Sequence, residues 1–463
     1  MHLEQFYLGC LAQASYLLIS GDQAVVVDPQ RDVEIYLEAA KEHGATIRHV
    51  FETHLHADFV SGHNELALRT GAQIYIGPKS GATVTHVAVR DGFELQIGTL
   101  RIQVLETPGH TPESICLLIM DEEQSSRPRA VLTGDTLFVG DVGRPDLSKA
   151  FSAPALAGML FDSLHTKLLT LPDDVIVYPG HGAGSLCGRN LGTSRSSTIR
   201  TERLTNYALQ IKTRDEFIRQ LTTNLPPRPD YFGQDAQINR SGAPALEDLP
   251  KLTAVRAEEL NQILKEGAVA IDVRPAEEFA AGHVPGSINI PLCGQFASWA
   301  GTLVDLNSRP VLIAATNDEL EEARTRLARI GLDLERGYLE GGVQAWASAG
   351  FELQSFVQIR VRDLNARLDS EGVRVLDVRR AAEWQAGHIG VAMHHALDEF
   401  KTKLPDLERG QTVFVICKGG YRSSIACSLL QRAGFKDVID VIGGFDGWSK
   451  AGLAVVAEEM VAA

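Results

Sequence analysis

The second half of the chain repeats itself. AIDVRPAEEFAAGHVPGSINIPL (270–292) matches VLDVRRAAEWQAGHIGVAMHHAL (375–397), pairing Asp272 with Asp377 and His283 with His388. GGVQAWASAGF (341–351) likewise matches GGFDGWSKAGL (443–453). Solenoid repeats have periods of about 20–50 residues, so an offset of roughly 105 marks two copies of a small domain. The split falls near Phe356. With 463 residues and roughly 150 per domain, about three domains are expected, so a further domain precedes the pair.

That first domain alternates β-rich runs (VVVDP at 25–29, HVFETH at 49–54, IYIGP at 74–78, VIVYPGH at 175–181) with helical stretches, a pattern that predicts an α/β fold. Around 224–250 the Pro, Gly and Asn content reads as a linker or extended docking arm rather than a helix or strand. The expected domains are therefore 1–225, a linker over 226–252, then 253–355 and 356–463.

Composition excludes several classes. A net charge of −15 with no Lys/Arg-rich run is the wrong balance for a nucleic-acid partner. Six cysteines without a C-x-x-C make no disulfide scaffold and suit a reducing, cytoplasmic setting. The apolar stretch after Phe6 and Ala12-Gln13-Ala14 mimic a signal peptide, but Glu4 stands where Lys or Arg is needed. No run approaches the ~18 apolar residues of a membrane span. A buried first strand pair is expected there, and no membrane partner.

Four polar clusters each follow a predicted strand: His54-Leu55-His56-Ala57-Asp58, Gly109-His110-Thr111, Thr133-Gly134-Asp135 and Gly180-His181-Gly182. Any one of these histidines alone reads as a surface or satisfied core residue. In a layered α/β domain, however, such strand ends gather on one edge, where imidazoles and carboxylates can converge on a divalent metal. THLHAD, GHT, TGD and PGHG, in that order, resemble the metallo-β-lactamase superfamily over roughly residues 1–225. The resemblance implies an αββα fold holding one or two metals.

The superfamily's full first motif is H-x-H-x-D-H, and Phe59 stands where its last His would join a second metal site. That departure favours a mononuclear centre. Two histidines and one carboxylate form the facial triad of non-haem Fe(II) oxygenases, and within the superfamily such a centre belongs to the persulfide dioxygenases. The resemblance implies Fe(II) on His54, His110 and Asp135, with His56, Asp58 and His181 orienting those ligands. It also makes Arg144, in GDVGRPDL, a candidate for holding a substrate carboxylate; the alternative is a structural pair with Asp146 or Asp141. Cys187, in HGAGSLCG, is either a small buried residue or a thiol near the metal that carries sulfane sulfur.

VFVICKGGYRSSIACSLLQRAGF (413–435) reads as a buried strand, a Gly-containing loop and an amphipathic helix. Cys417 ends the strand, and the loop Lys418-Gly419-Gly420-Tyr421-Arg422 lets backbone N–H groups turn inward as an anion nest at a helix start. A thiolate there is a ready nucleophile, and Arg422 adds a contact to a bound anion. C-K-G-G-Y-R-S, with LDVR…EW…GHI upstream and GGFDGW downstream, resembles the rhodanese family, which implies sulfur carried as a persulfide on Cys417. The resemblance makes Asp377 and Arg379 a structural pair beside the site. In the middle copy, VLIAATNDELEEA (311–323) puts Ala314 or Ala315 at the nucleophile's position and acidic residues in the loop, so that copy is expected to be inactive. Cys293 lies outside the loop and is expected to be a packing residue.

The expected architecture is thus α/β and α+β multidomain: an N-terminal αββα metallo-β-lactamase fold followed by two α/β rhodanese-like domains, the first inactive. The expected function couples Fe(II)- and O2-dependent oxidation of a low-molecular-weight thiol persulfide, such as glutathione persulfide, to sulfane-sulfur transfer among persulfide, sulfite and thiosulfate. A zinc thioester hydrolase of the glyoxalase II type with a sulfurtransferase appendage is the alternative, and a non-enzymatic sulfur carrier or sensor is a third reading. By resemblance, a homo-oligomer (dimer or tetramer) is expected.

Overall fold

Strands buried on both faces build the N-terminal part. In Gln13–Ser20, Tyr16 and Leu18 face one core while Leu17 and Ile19 face another. The computed structural model describes residues 1–457 except 149, 190, 224, 226, 227, 306, 334, 335 and 369–371. The expected boundary at 226 and the expected end at 463 therefore lie outside the described residues. The chain divides into two compact units: Met1–Leu249 with Ala328–Gly331, and Pro250–Leu327 with Leu332–Ala463.

The first unit holds two six-stranded sheets. One runs in the order His2–Leu8, Gln13–Ser20, Gln23–Val27, Thr46–Glu52, Gln73–Ile76, Val87–Ala88. The other runs Ser197–Thr198, Ile176–Pro179, Ala130–Gly134, Ile115–Asp121, Leu100–Glu106, Glu94–Ile97. The expected first strand pair is there, antiparallel and with its second strand fully buried. One core lies between the sheets, where Val25, Val27 and Phe51 meet Ile102, Val104, Leu117 and Leu132. A second packs the helix Glu34–Glu42 on the outer face of the first sheet. A third packs Ala153–Thr166 and Arg214–Thr222 on the outer face of the other. Helix, sheet, sheet, helix is the αββα arrangement, and the period-two alternation of apolar residues requires it, since both faces of each sheet must be covered.

One expectation is corrected here. The stretch expected to be neither helix nor strand contains the helix Tyr231–Ser241, which ends at Gly242 with φ +84°. Its buried face is Tyr231, Asp235 and Asn239 with Phe232. Positions four apart share a helix face, but two of these three are polar, so hydrophobic periodicity does not announce the helix.

In the second unit, each copy forms a five-stranded parallel sheet with the same order: first, fifth, fourth, second and third strand along the chain. Parallel neighbours need crossover helices, which bury the central strands on both faces. Accordingly Val413–Ile416 and Val311–Ile313 are wholly apolar and buried. The first copy also supports the second. Asn289 accepts a hydrogen bond from Ser424 Oγ (2.6 Å) and donates its N–H to Ser428 Oγ (3.0 Å), both on the helix Tyr421–Arg432. Among the described residues, no helix is long and apolar enough to cross a membrane.

Candidate metal centre and thiol loop

The strands Thr46–Glu52, Leu100–Glu106, Ala130–Gly134 and Ile176–Pro179 are followed by His54, His110, Asp135 and His181, and the fold brings these residues together. Ligand atoms of His54, His110 and Asp135 lie within 4.8 Å of one another, and all three residues are buried. His110 Nε2 is 3.4 Å and His54 Nε2 3.8 Å from Asp135 Oδ2. None of these three atoms has a hydrogen-bond partner.

Their other polar atoms are occupied, and the occupants set the tautomers. His110 Nδ1 lies 2.9 Å from the Arg144 carbonyl, which only accepts, so Nδ1 carries the proton and Nε2 the lone pair. Thr53 Oγ1 donates to Asp28 Oδ2 (2.8 Å) and so accepts from His54 Nδ1–H (3.1 Å), again leaving Nε2 as a lone pair. Asp135 Oδ1 accepts from His181 Nδ1 at 2.7 Å, leaving Oδ2. Burial pushes the His54 and His110 imidazoles below their ordinary pKa, so both are neutral donors. Burial opposes ionisation of Asp135, yet neighbouring His181 outweighs it and holds the carboxyl below the usual range. Two glycines permit this closeness. Gly134 has φ +47°, and a Cβ at Gly143 would lie 2.0 Å from the Asp135 carbonyl oxygen.

His181 bridges two carboxylates, with Nε2 2.8 Å from Asp58 Oδ2. His56 turns the other way, its Nε2 3.1 Å from Asp28 Oδ1 and 3.5 Å from Glu52 Oε2. Burial would lower its pKa, but those carboxylates push it up to about 9. Phe59 is buried with its ring 4.3 Å from His56 and 6.3 Å from His181. Cys187 groups with Asp58 and His181, and burial together with the Asp58 and Asp135 carboxylates pushes its thiol well above the ordinary range. That environment keeps the sulfur protonated and weakly nucleophilic.

For Arg144 the structural alternative is the one observed. Its Nε and Nη2 bond Asp146 at 2.7 and 2.9 Å, and Nη1 bonds the Leu186 carbonyl at 3.2 Å. Holding a substrate carboxylate would require displacing Asp146, because the planar fork is already engaged. Cys293 is also corrected: it is exposed, because it follows the short strand Ile288–Asn289 into a surface turn instead of packing in the core. All six cysteines are free.

In the last domain Cys417 is buried at the end of Val413–Ile416. The Cys417 and Lys418 carbonyls accept hydrogen bonds from Phe445 N (2.7 Å) and Asp446 N (3.0 Å), which turns them outward. The Gly420 N–H donates to Cys417 Sγ at 3.1 Å. Tyr421 Oη donates to the Pro291 carbonyl, and Asp377 holds Arg379 as the expected pair. Lys418 and Gly419 are exposed at the loop tip. Arg422 is not free: Glu383 grips its guanidinium at 2.7 and 2.8 Å, a partner that the sequence reading missed. In the middle copy, Glu319 Oε2 accepts from Ala315 N (2.7 Å) and Thr316 N (3.2 Å). That copy places a carboxylate on the N–H groups of the corresponding turn and has no thiol at the nucleophile's position.

Three facing N, N and O donors at the strand ends of an αββα sandwich form a candidate metal centre, and the chain carries a separate thiol loop. Residues 8–181 match the metallo-beta-lactamase superfamily, and 256–349 and 360–451 each match the rhodanese-like domain. The chain is similar to the persulfide dioxygenase ETHE1 of Bos taurus, 29% identical over 228 residues, or 47% of this chain and 80% of that protein. It is also similar to the probable metallo-hydrolase YqgX of Bacillus subtilis, 31% identical over 38% of this chain and 87% of that protein. Among solved structures, a metallo-beta-lactamase from Staphylococcus aureus superposes with a TM-score of 0.66 at 33% identity, covering 73% of this chain and 98% of that one. The chain belongs to the metallo-β-lactamase superfamily, and two tandem rhodanese-like domains follow its αββα domain.

Proposed function

We propose that the chain is a bifunctional enzyme of sulfide detoxification, oxidising a low-molecular-weight thiol persulfide at the metal centre and moving sulfane sulfur through Cys417. The observation that carries the first half is the donor set. Three buried, partnerless atoms, two imidazole and one carboxylate, suit a mononuclear Fe(II) site that keeps open positions. Phe59, which offers no ligand atom, argues against a second ion. Similarity to a persulfide dioxygenase supports the same reading.

The reaction is RSSH + O2 + H2O → RSH + sulfite + 2 H+. The sulfane sulfur loses four electrons and O2 gains them. Fe(II), held by His54, His110 and Asp135, would supply the redox chemistry with O2; zinc has no redox role. The chain's own part is to fix His54 and His110 as neutral Nε2 donors and Asp135 through Oδ2, while His181 neutralises the carboxylates around it.

At the second site, the Cys417 thiolate attacks the outer sulfur of thiosulfate. The S–S bond breaks, sulfite leaves with the bonding pair, and a Cys417 persulfide remains. The loop N–H groups and Arg422 hold the anion. Glu383 competes for Arg422, so Glu383→Gln is expected to lower the thiosulfate KM roughly tenfold, equivalent to about 1.4 kcal/mol. An unchanged or raised KM would show that the pair does not gate the anion.

A zinc thioester hydrolase remains the second reading, favoured by the likeness to a probable metallo-hydrolase and by the retained Asp58 and His181. Iron- and zinc-loaded protein assayed side by side on a glutathione thioester separates the two. The dioxygenase reading predicts no thioester turnover with either metal, and turnover with zinc alone supports the hydrolase.

A further inference from the structure

The loop that supplies His54 has no regular secondary structure between Thr53 and Val60, yet it is wholly buried. Its backbone polar groups therefore need partners from elsewhere. Asn239 provides them. Its Nδ2 donates to the His56 carbonyl (2.8 Å) and the Phe59 carbonyl (2.7 Å), and its Oδ1 accepts from Ser61 N–H (2.7 Å). The carboxamide is 0% exposed, and both of its ends are used. Asn239 touches none of the three facing donors directly; it holds the main chain on which His54 and Asp58 are mounted.

The helix bearing Asn239 is itself anchored. The Arg240 carbonyl accepts from Thr83 N–H (2.8 Å), Asn64 Nδ2 donates to the Ala243 carbonyl (2.9 Å), and Leu246 N–H donates to Glu65 Oε2 (3.0 Å). This segment lies beyond residues 8–181, which match the superfamily, and beyond the boundary that composition suggests.

We infer that Asn239 is a positioning residue of the metal centre, fixing the His54–Asp58 loop in its ligating conformation through a helix that follows the αββα core. The inference rests on the proposed metal centre but not on the reaction carried out there. A side chain of the same size with acceptors only would face two carbonyls and release the loop. Groups that orient metal ligands typically contribute 10–100-fold in affinity.

The test uses the full chain with Asn239→Asp, Asn239→Ala and, as a control on the same helix, Arg240→Ala, whose side chain bonds Ser80 O and Gln237 but not the loop. Co(II) affinity is followed by visible absorption and Fe(II) loss by transfer to a chelator, with circular dichroism monitoring the fold. Both Asn239 variants are expected to bind Co(II) on the order of 10–100-fold more weakly, with altered absorption, while Arg240→Ala stays within about twofold of the parent. Parental affinity in Asn239→Asp, or equal losses in all three variants, would overturn the inference. Failure of the parent to consume O2 while it binds Co(II) would sink the dioxygenase reading alone. Failure of the parent to bind any metal would sink both.

Discussion

His110→Ala is expected to abolish iron retention and the proposed O2 consumption and to leave sulfur transfer through Cys417 unchanged. The imidazole contributes one of three partnerless atoms, and its Nδ1–H is tied to the Arg144 carbonyl at 2.9 Å. The neighbouring imidazoles face other groups: His56 Nε2 lies against Asp28, and His181 lies between Asp58 and Asp135. Removing even an outer partner of a metal ligand costs about 10–100-fold in affinity, so removing the ligand itself is expected to exceed that. Metal analysis of the purified variant together with a sulfur-transfer assay checks the result. Full iron content in His110→Ala would show that the three facing donors are not the site.

Cys417→Ser is expected to produce the mirror image. Sulfur transfer falls by three orders of magnitude or more, on the order of what loss of a covalent nucleophile costs, while O2 uptake with a small-molecule persulfide continues. A hydroxyl in the same nest keeps the Gly420 N–H in place but forms no persulfide. Two other buried thiols are poor substitutes, since Cys427 is pushed well up and Cys187 is likewise raised; the exposed Cys293 is the thiol to watch in the variant. Mass spectrometry after thiosulfate treatment reads the outcome directly. The parent gains one sulfur atom and the variant gains none, and a sulfur adduct on the variant would place the carrier elsewhere.

The two variants together would separate activities that share chemistry. Under the proposed function, sulfite formed at the first site would be the species released or consumed at the second.

The readable parts of this molecule are those where chemistry sits beside pattern. Each ligating residue follows an apolar strand within a few positions, so His54, His110, Asp135 and His181 stand out against VFE, VLE, AVL and VIVY. The Cys417 loop is legible for the same reason, and so is the difference of the middle copy, where Glu319 and its acidic neighbours open the helix Asn317–Ala328 at the place the other copy has Gly and Arg. What stays hidden depends on partners distant in sequence or on a choice between nearby ones. Asn239 acts on His56 from 183 residues away, and its helix has a polar buried face that no hydrophobic period reveals. Glu383 lies in a repeat motif, but only the fold brings it to Arg422. Arg144 had an equally plausible substrate and structural partner in sequence, and geometry gives it to Asp146.

The central claim is tested most directly by O2 uptake from Fe(II)-loaded full-length protein after addition of glutathione persulfide, with sulfite measured in the same vessel. The account predicts one O2 consumed and one sulfite formed per persulfide when sulfur transfer is blocked by Cys417→Ser. Iron-replete protein that consumes no O2 with glutathione persulfide or with other small thiol persulfides would contradict it.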